Sequence, residues 1–169
     1  MRLKDKVAII TGGSRGIGFA TADAFLREGA KVAVAASSEK NAEAAVEKLK
    51  AIHPDAEVVG ISPNLGSFES VKEEFDKVEK QFGRIDILVN NAGVSESTPF
   101  TSYTEADFDR VIDLNVKGVF NATRAVVDGM IKNHSGVVLN TSSMVSISGQ
   151  PSGFAYPASK FAVTGTPIS

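Results

Sequence analysis

A tyrosine and a lysine four residues apart, in Tyr156-Pro157-Ala158-Ser159-Lys160, suggest proton transfer. Side chains at i and i+4 share one face of a helix, so Tyr156 and Lys160 are placed to meet. Pro157 then falls in the first turn, where its missing N–H costs little. A phenol with a pKa near 10 is a poor proton shuttle at neutral pH, and lowering it by about three units takes roughly 4 kcal/mol. An ammonium about 4 Å away supplies that order of energy at an effective dielectric near 20. A helix N-terminus adds only roughly 0.3–1 kcal/mol, so lysine is the main tuner. Such a tyrosine can protonate a carbonyl oxygen while hydride arrives at the carbon. A serine hydroxyl on the same oxygen would fix the substrate's position.

A second pattern binds rather than reacts. An apolar run, Val7–Ile10, leads into Thr11-Gly12-Gly13-Ser14-Arg15-Gly16-Ile17-Gly18 and then directly into a helix beginning near Ile17. Glycines let the backbone turn with positive φ and approach a ligand with no Cβ in the way. The helix start offers unpaired N–H groups and a positive dipole end to a pyrophosphate. A G-x-G-x-x-G would need glycine where Thr21 stands, and a P-loop would need Lys-Ser/Thr where Phe19-Ala20 stand. What remains is G-x-x-x-G-x-G on Gly12, Gly16 and Gly18.

The end of the second apolar run chooses the cofactor. An NAD site of this kind usually has an acidic residue there to accept from the ribose hydroxyls. Here the run ends Ala35-Ala36-Ser37-Ser38, with no carboxylate to repel a 2′-phosphate. Arg15 could pair with that phosphate through its fork of donors, and Ser37 and Ser38 could add hydroxyl contacts. The same serines are candidate N-caps of the next helix. NADP(H) is the expected cofactor, ahead of NAD(H).

The elements that must position these residues alternate. Val7–Ile10, Lys31–Ala35, Glu57–Ile61, Ile85–Val89 and Gly136–Asn140 read as short buried parallel strands. Asn41–Ile52 and Phe68–Phe82 read as helices, the latter capped by Ser67. Thr104 with Asp107 resembles a capping box opening a run with Phe108, Val111, Ile112, Val119 and Phe120 on one face. This alternation predicts an α/β, Rossmann-like doubly wound parallel sheet with strand order 3-2-1-4-5. With no linker or repeat in the sequence, 1–169 reads as one dinucleotide-binding domain. Ligands of such sheets sit past the carboxyl ends of the strands, where strand order reverses.

Composition narrows the remaining classes. A net charge of −2 with no basic block argues against nucleic acid as a partner. The absence of cysteine excludes thiolate nucleophiles and thiolate metal sites, and the only histidines, His53 and His134, lie in polar surroundings. No apolar run approaches a membrane span, and the charged start is no secretory signal, so the cytoplasm is the expected compartment.

Taken in order, Thr11-Gly12-x-x-x-Gly16-x-Gly18, Asn90-Asn91-Ala92-Gly93, Asn115, Ser143 and Tyr156-x-x-x-Lys160 resemble the motifs of the short-chain dehydrogenase/reductase family, with Ser143 thirteen residues before Tyr156. The resemblance covers essentially the whole chain. It implies Tyr156 as general acid/base and Lys160 as binder of the nicotinamide ribose and tuner of the tyrosine. It implies Ser143 orienting the substrate carbonyl, with Ser142 its rival, and Asn115 holding a water in a relay to Lys160. Asn91, Ala92 and Gly93 would contact the adenosine-side ribose and support the sheet. Asn64 and Leu65 would flank the adenine, and Ser14 and Ile17 would line the phosphate turn. Within the family the cofactor-facing residues look most like bacterial 3-oxoacyl-(acyl-carrier-protein) reductases. Implied partners are a small carbonyl or alcohol substrate, possibly an acyl thioester, and further copies of the chain.

The chain departs from that pattern in length. Members are usually about half as long again, with two further strands completing the sheet. Pro167 stands where relatives continue a long helix, and proline there costs about 3 kcal/mol or ends it. Without further strands, Val137-Val138-Leu139 would form a bare apolar edge. A non-catalytic dinucleotide-binding fragment or assembly partner is therefore the rival expectation.

Overall fold

Strand and helix alternate as expected in the computed structural model, which describes residues 1–150 and 153–166. Five strands, β1 (Val7–Thr11), β2 (Lys31–Ala35), β3 (Val58–Ile61), β4 (Ile87–Asn90) and β5 (Val137–Asn140), form one sheet in the order β3-β2-β1-β4-β5. Every pairing is parallel. The helices are α1 (Gly16–Arg27), α2 (Glu39–Ile52), α3 (Phe68–Phe82), α4 (Glu105–Ile112), α5 (Gly118–Lys132) and α6 (Ala155–Thr164).

The two-residue alternation of the strands sorts the core into two layers. Ala8, Ile10, Val32 and Val34 meet Ala22 and Leu26 of α1 and Ala45 and Leu49 of α2. Val7, Ile9, Ala33 and Ala35 meet Val71, Phe75 and Val78 of α3 and Ala122, Val126 and Met130 of α5. Thr11 lies beside Ala35, and Asn90 beside Asn140, so the carboxyl ends of the strands finish nearly level. Strand order reverses between β1 and β4, and the turns that follow those two strands face one another.

Local signals translate directly. Ser67 accepts the Ser70 N–H and caps α3, Gly83 ends it with φ +88, and Thr104 and Asp107 form a reciprocal capping box on α4. The apolar run after that box, however, does not lie on one face. A π turn at Asp113–Lys117 separates α4 from α5. Its i→i+5 bonding adds a residue to the turn and rotates the stripe away from a 3.6 repeat. Val111 is buried, whereas Phe120 is 64% exposed.

The apolar edge expected at β5 is present: Val137 and Leu139 are each about half exposed. No described helix is long and apolar enough to cross a membrane. Pro167 lies outside the described residues.

Candidate active site

Thr11, the last residue of β1, ties the glycine turn to the turn after β4. Its hydroxyl donates to the Val89 carbonyl at 3.3 Å and accepts the N–H groups of Asn91 and Ala92, each at 3.0 Å. The Asn91 amide donates back to the carbonyls of Thr11 at 3.1 Å and Gly12 at 3.3 Å. The glycines have distinct reasons. Gly12 has φ +65, and a Cβ on it would stand 2.9 Å from the Ala92 Cα. Gly18 lets α1 rest on the turn, since a Cβ there would lie 2.3 Å from the Gly12 carbonyl oxygen. Gly16 has φ +56, and its Cβ position is open space. The first turn of α1 carries no acidic residue, and Arg15 before it makes no side-chain cap.

These turns wall a cleft of about 800 Å³. It brings together Gly12, Ser14, Arg15, Gly16, Ile17, Ser37, Asn64, Leu65, Asn91, Ala92 and Gly93, with Ser62 and Pro63 as lining that sequence reasoning did not single out. Among the described residues Arg15 is the only charged one in the wall, and no carboxylate lines it. Two expected residues stand behind the wall. Gly18 lies beneath the turn, and Ser38 caps α2 by accepting the Asn41 N–H at 3.3 Å. Asn64 closes a tight turn by accepting the Gly66 N–H, and the Leu65 carbonyl accepts from Asn121 at 2.8 Å.

The second cluster surrounds α6. Asn115 is 1% exposed within the π turn. Its amide oxygen accepts the Val94 N–H at 2.9 Å, and its nitrogen donates to the Val94 carbonyl at 2.9 Å and to the Ser159 hydroxyl at 3.0 Å. Lys160 is buried, and its ammonium donates to the Thr141 carbonyl at 2.8 Å. Burial lowers the Lys160 pKa from its ordinary value. The ammonium stands 5.9 Å from the centre of the Tyr156 ring. Asn115 and Lys160 converge over Gly93, where a Cβ would lie 3.2 Å from the asparagine oxygen and 3.7 Å from the lysine nitrogen.

The two candidate serines differ in their commitments. Ser142 is bonded to the Thr164 hydroxyl at 2.6 Å and donates to the Lys160 carbonyl at 3.3 Å, which fastens β5 to α6. Among the described residues the Ser143 hydroxyl accepts only a long bond, 3.4 Å, from the Val145 N–H. Sequence reasoning missed Ser159 and the Thr141 carbonyl as supports. Ser159 lies three residues after Tyr156 in the same motif, so helical spacing could have flagged it. The Thr141 carbonyl carries no signal in its residue type.

Chemically, the cleft suits an anionic ligand, and Gly93 in its wall stands beside Asn115 and the buried ammonium of Lys160. The family model described as short chain dehydrogenase matches residues 6–166. A 3alpha-hydroxysteroid dehydrogenase of Mediterraneibacter gnavus is 50% identical over 165 residues, covering 98% of this chain and 66% of that protein. A 3-oxoacyl-(acyl-carrier-protein) reductase of Thermotoga maritima is 41% identical with the same coverage of each. Among solved structures, levodione reductase superposes with a TM-score of 0.92 at 36% identity, over 97% of this chain and 64% of that one. An NAD+-bound xylitol dehydrogenase gives 0.91 at 34% identity, over 96% and 62%. The chain spans about two thirds of the length of the relatives it matches.

Proposed function

The chain belongs to the short-chain dehydrogenase family, and on that premise we propose that it works as an NADP(H)-dependent oxidoreductase on a ketone or its secondary alcohol. The observation that carries this reading is the cleft itself: among the described residues it holds a single cation, Arg15, and no carboxylate, and it opens where strand order reverses. When bound, the dinucleotide supplies or takes the hydride. The turn from Gly12 to Gly18, with Ser14 and Ile17, and the start of α1 receive its pyrophosphate. Arg15 and Ser37, which line the cleft, bind the 2′-phosphate, while Ser38 behind them caps α2. Asn64 and Leu65 flank the adenine, and Asn91, Ala92 and Gly93 form the floor beside the ribose.

Tyr156 donates a proton to the carbonyl oxygen in reduction and accepts it back in oxidation. Lys160, fixed on Thr141, stabilises the phenolate electrostatically and binds the nicotinamide ribose. Ser143 holds the substrate oxygen, a role its uncommitted hydroxyl supports over that of Ser142. Asn115, anchored on Val94, keeps a relay water near Lys160. The two curated relatives act, by their names, on a hydroxysteroid and a 3-oxoacyl thioester; the ketone and secondary alcohol are what these share. A 3-oxoacyl thioester is the substrate we assign first.

The half-exposed β5 favours a second reading, a dinucleotide-binding unit that does not turn over alone. NADPH oxidation with 3-oxoacyl esters separates the two. Turnover in the wild-type chain supports the oxidoreductase. Micromolar NADPH binding without turnover supports the binding unit.

A further inference from the structure

Helix α6 carries Tyr156 and Lys160, yet the residue before it, Phe154, makes no side-chain cap. Pro157 has no N–H, so Ala155 and Tyr156 supply the first donors. The cap for Tyr156 comes from 60 residues away in sequence. Glu96, in the loop after β4, accepts the Tyr156 N–H on Oε1 at 3.1 Å. The same oxygen accepts the Tyr103 hydroxyl at 3.1 Å. Burial, and then this hydrogen bond, hold the Tyr103 phenol above its ordinary range, so it stays protonated and donating.

The surroundings are shaped to the carboxylate. Gln150 donates to the Glu96 carbonyl at 3.4 Å. Gly153, with φ +79, leaves the room Glu96 occupies, since a Cβ there would stand 2.6 Å from Oε2. Oε2 is buried with no partner among the described residues. Negative charge at a helix start is favourable, so the site suits a carboxylate.

We infer that Glu96, braced by Tyr103, is a positioning residue for Tyr156: it fixes the first turn of α6, and with it the place of the tyrosine hydroxyl relative to the substrate carbonyl. This rests on the reading of Tyr156 as the proton donor. Misplacing a reacting group by about 1 Å can cost on the order of 100-fold in rate.

The test uses the full chain with Glu96→Ala and Glu96→Gln, reading kcat, KM for NADPH, and amide hydrogen exchange over 155–160 and 7–27. In Glu96→Ala, exchange over 155–160 accelerates while 7–27 is unchanged. The same variant loses about 10- to 100-fold in kcat with KM for NADPH unaltered. Glu96→Gln, which keeps an acceptor oxygen for both donors, recovers most of each loss. Unchanged exchange over 155–160 in Glu96→Ala overturns the inference whether or not the chain turns over. A glutamine variant as impaired as the alanine variant also overturns it. A wild type without turnover whose α6 still responds to Glu96→Ala supports the cap and overturns the assigned activity instead.

Discussion

Around β1 and β4 every strand residue is buried, and the turns that follow are bound to each other through Thr11 and Asn91. At β5 the strand is half exposed, and α6 is fixed to it by a few hydrogen bonds: Lys160 to Thr141, and Ser142 to Lys160 and Thr164. The glycine-turn side of the site is held by the core. The α6 side is held by those polar contacts together with the burial of Ala155 and Val163. The two kinds of support meet at Gly93, which lines the cleft and lies against Asn115 and Lys160.

The contrast can be broken by truncating one side chain on each strand. Leu88, fully buried on β4, should cost about 2–5 kcal/mol as Leu88→Ala in urea unfolding. Leu139→Ala, on the half-exposed β5, should cost less than about 1 kcal/mol. Equal losses would mean that β5 is packed as tightly as the centre. The contrast is sharpened by Arg15→Ala, which touches only the cleft wall. A charge-assisted bond worth roughly 1.5–3 kcal/mol predicts about 10- to 100-fold weaker NADPH binding, with NADH binding unchanged. Equal weakening of both by fluorescence titration would remove the 2′-phosphate assignment.

Much of this was readable from sequence because it is local. Val- and Ile-rich runs of four or five residues gave the strands, and Ser67 and the Thr104–Asp107 pair marked helix starts. The glycine turn declared itself through spacing. The π turn did not, since an apolar stripe at helical period looks the same with or without one added residue. Ser38 carries two readings in sequence, phosphate contact and cap, and the cap is made to Asn41. The remaining gaps are distant in sequence. Thr11 meets Asn91 across 80 positions and Glu96 meets Tyr156 across 60, and no periodicity links such pairs. Loop residues such as Glu96 take their meaning from the helix that docks on them.

In the proposed reaction Tyr156 moves the proton, and the cleft binds the cofactor independently of it. Steady-state NADPH oxidation with a 3-oxoacyl ester, compared in wild type and Tyr156→Phe alongside NADPH titration, tests it most directly. Turnover is expected in wild type, with a loss of about 100- to 10,000-fold in the variant and equal NADPH affinity in both. Turnover that survives in Tyr156→Phe would contradict that role for Tyr156.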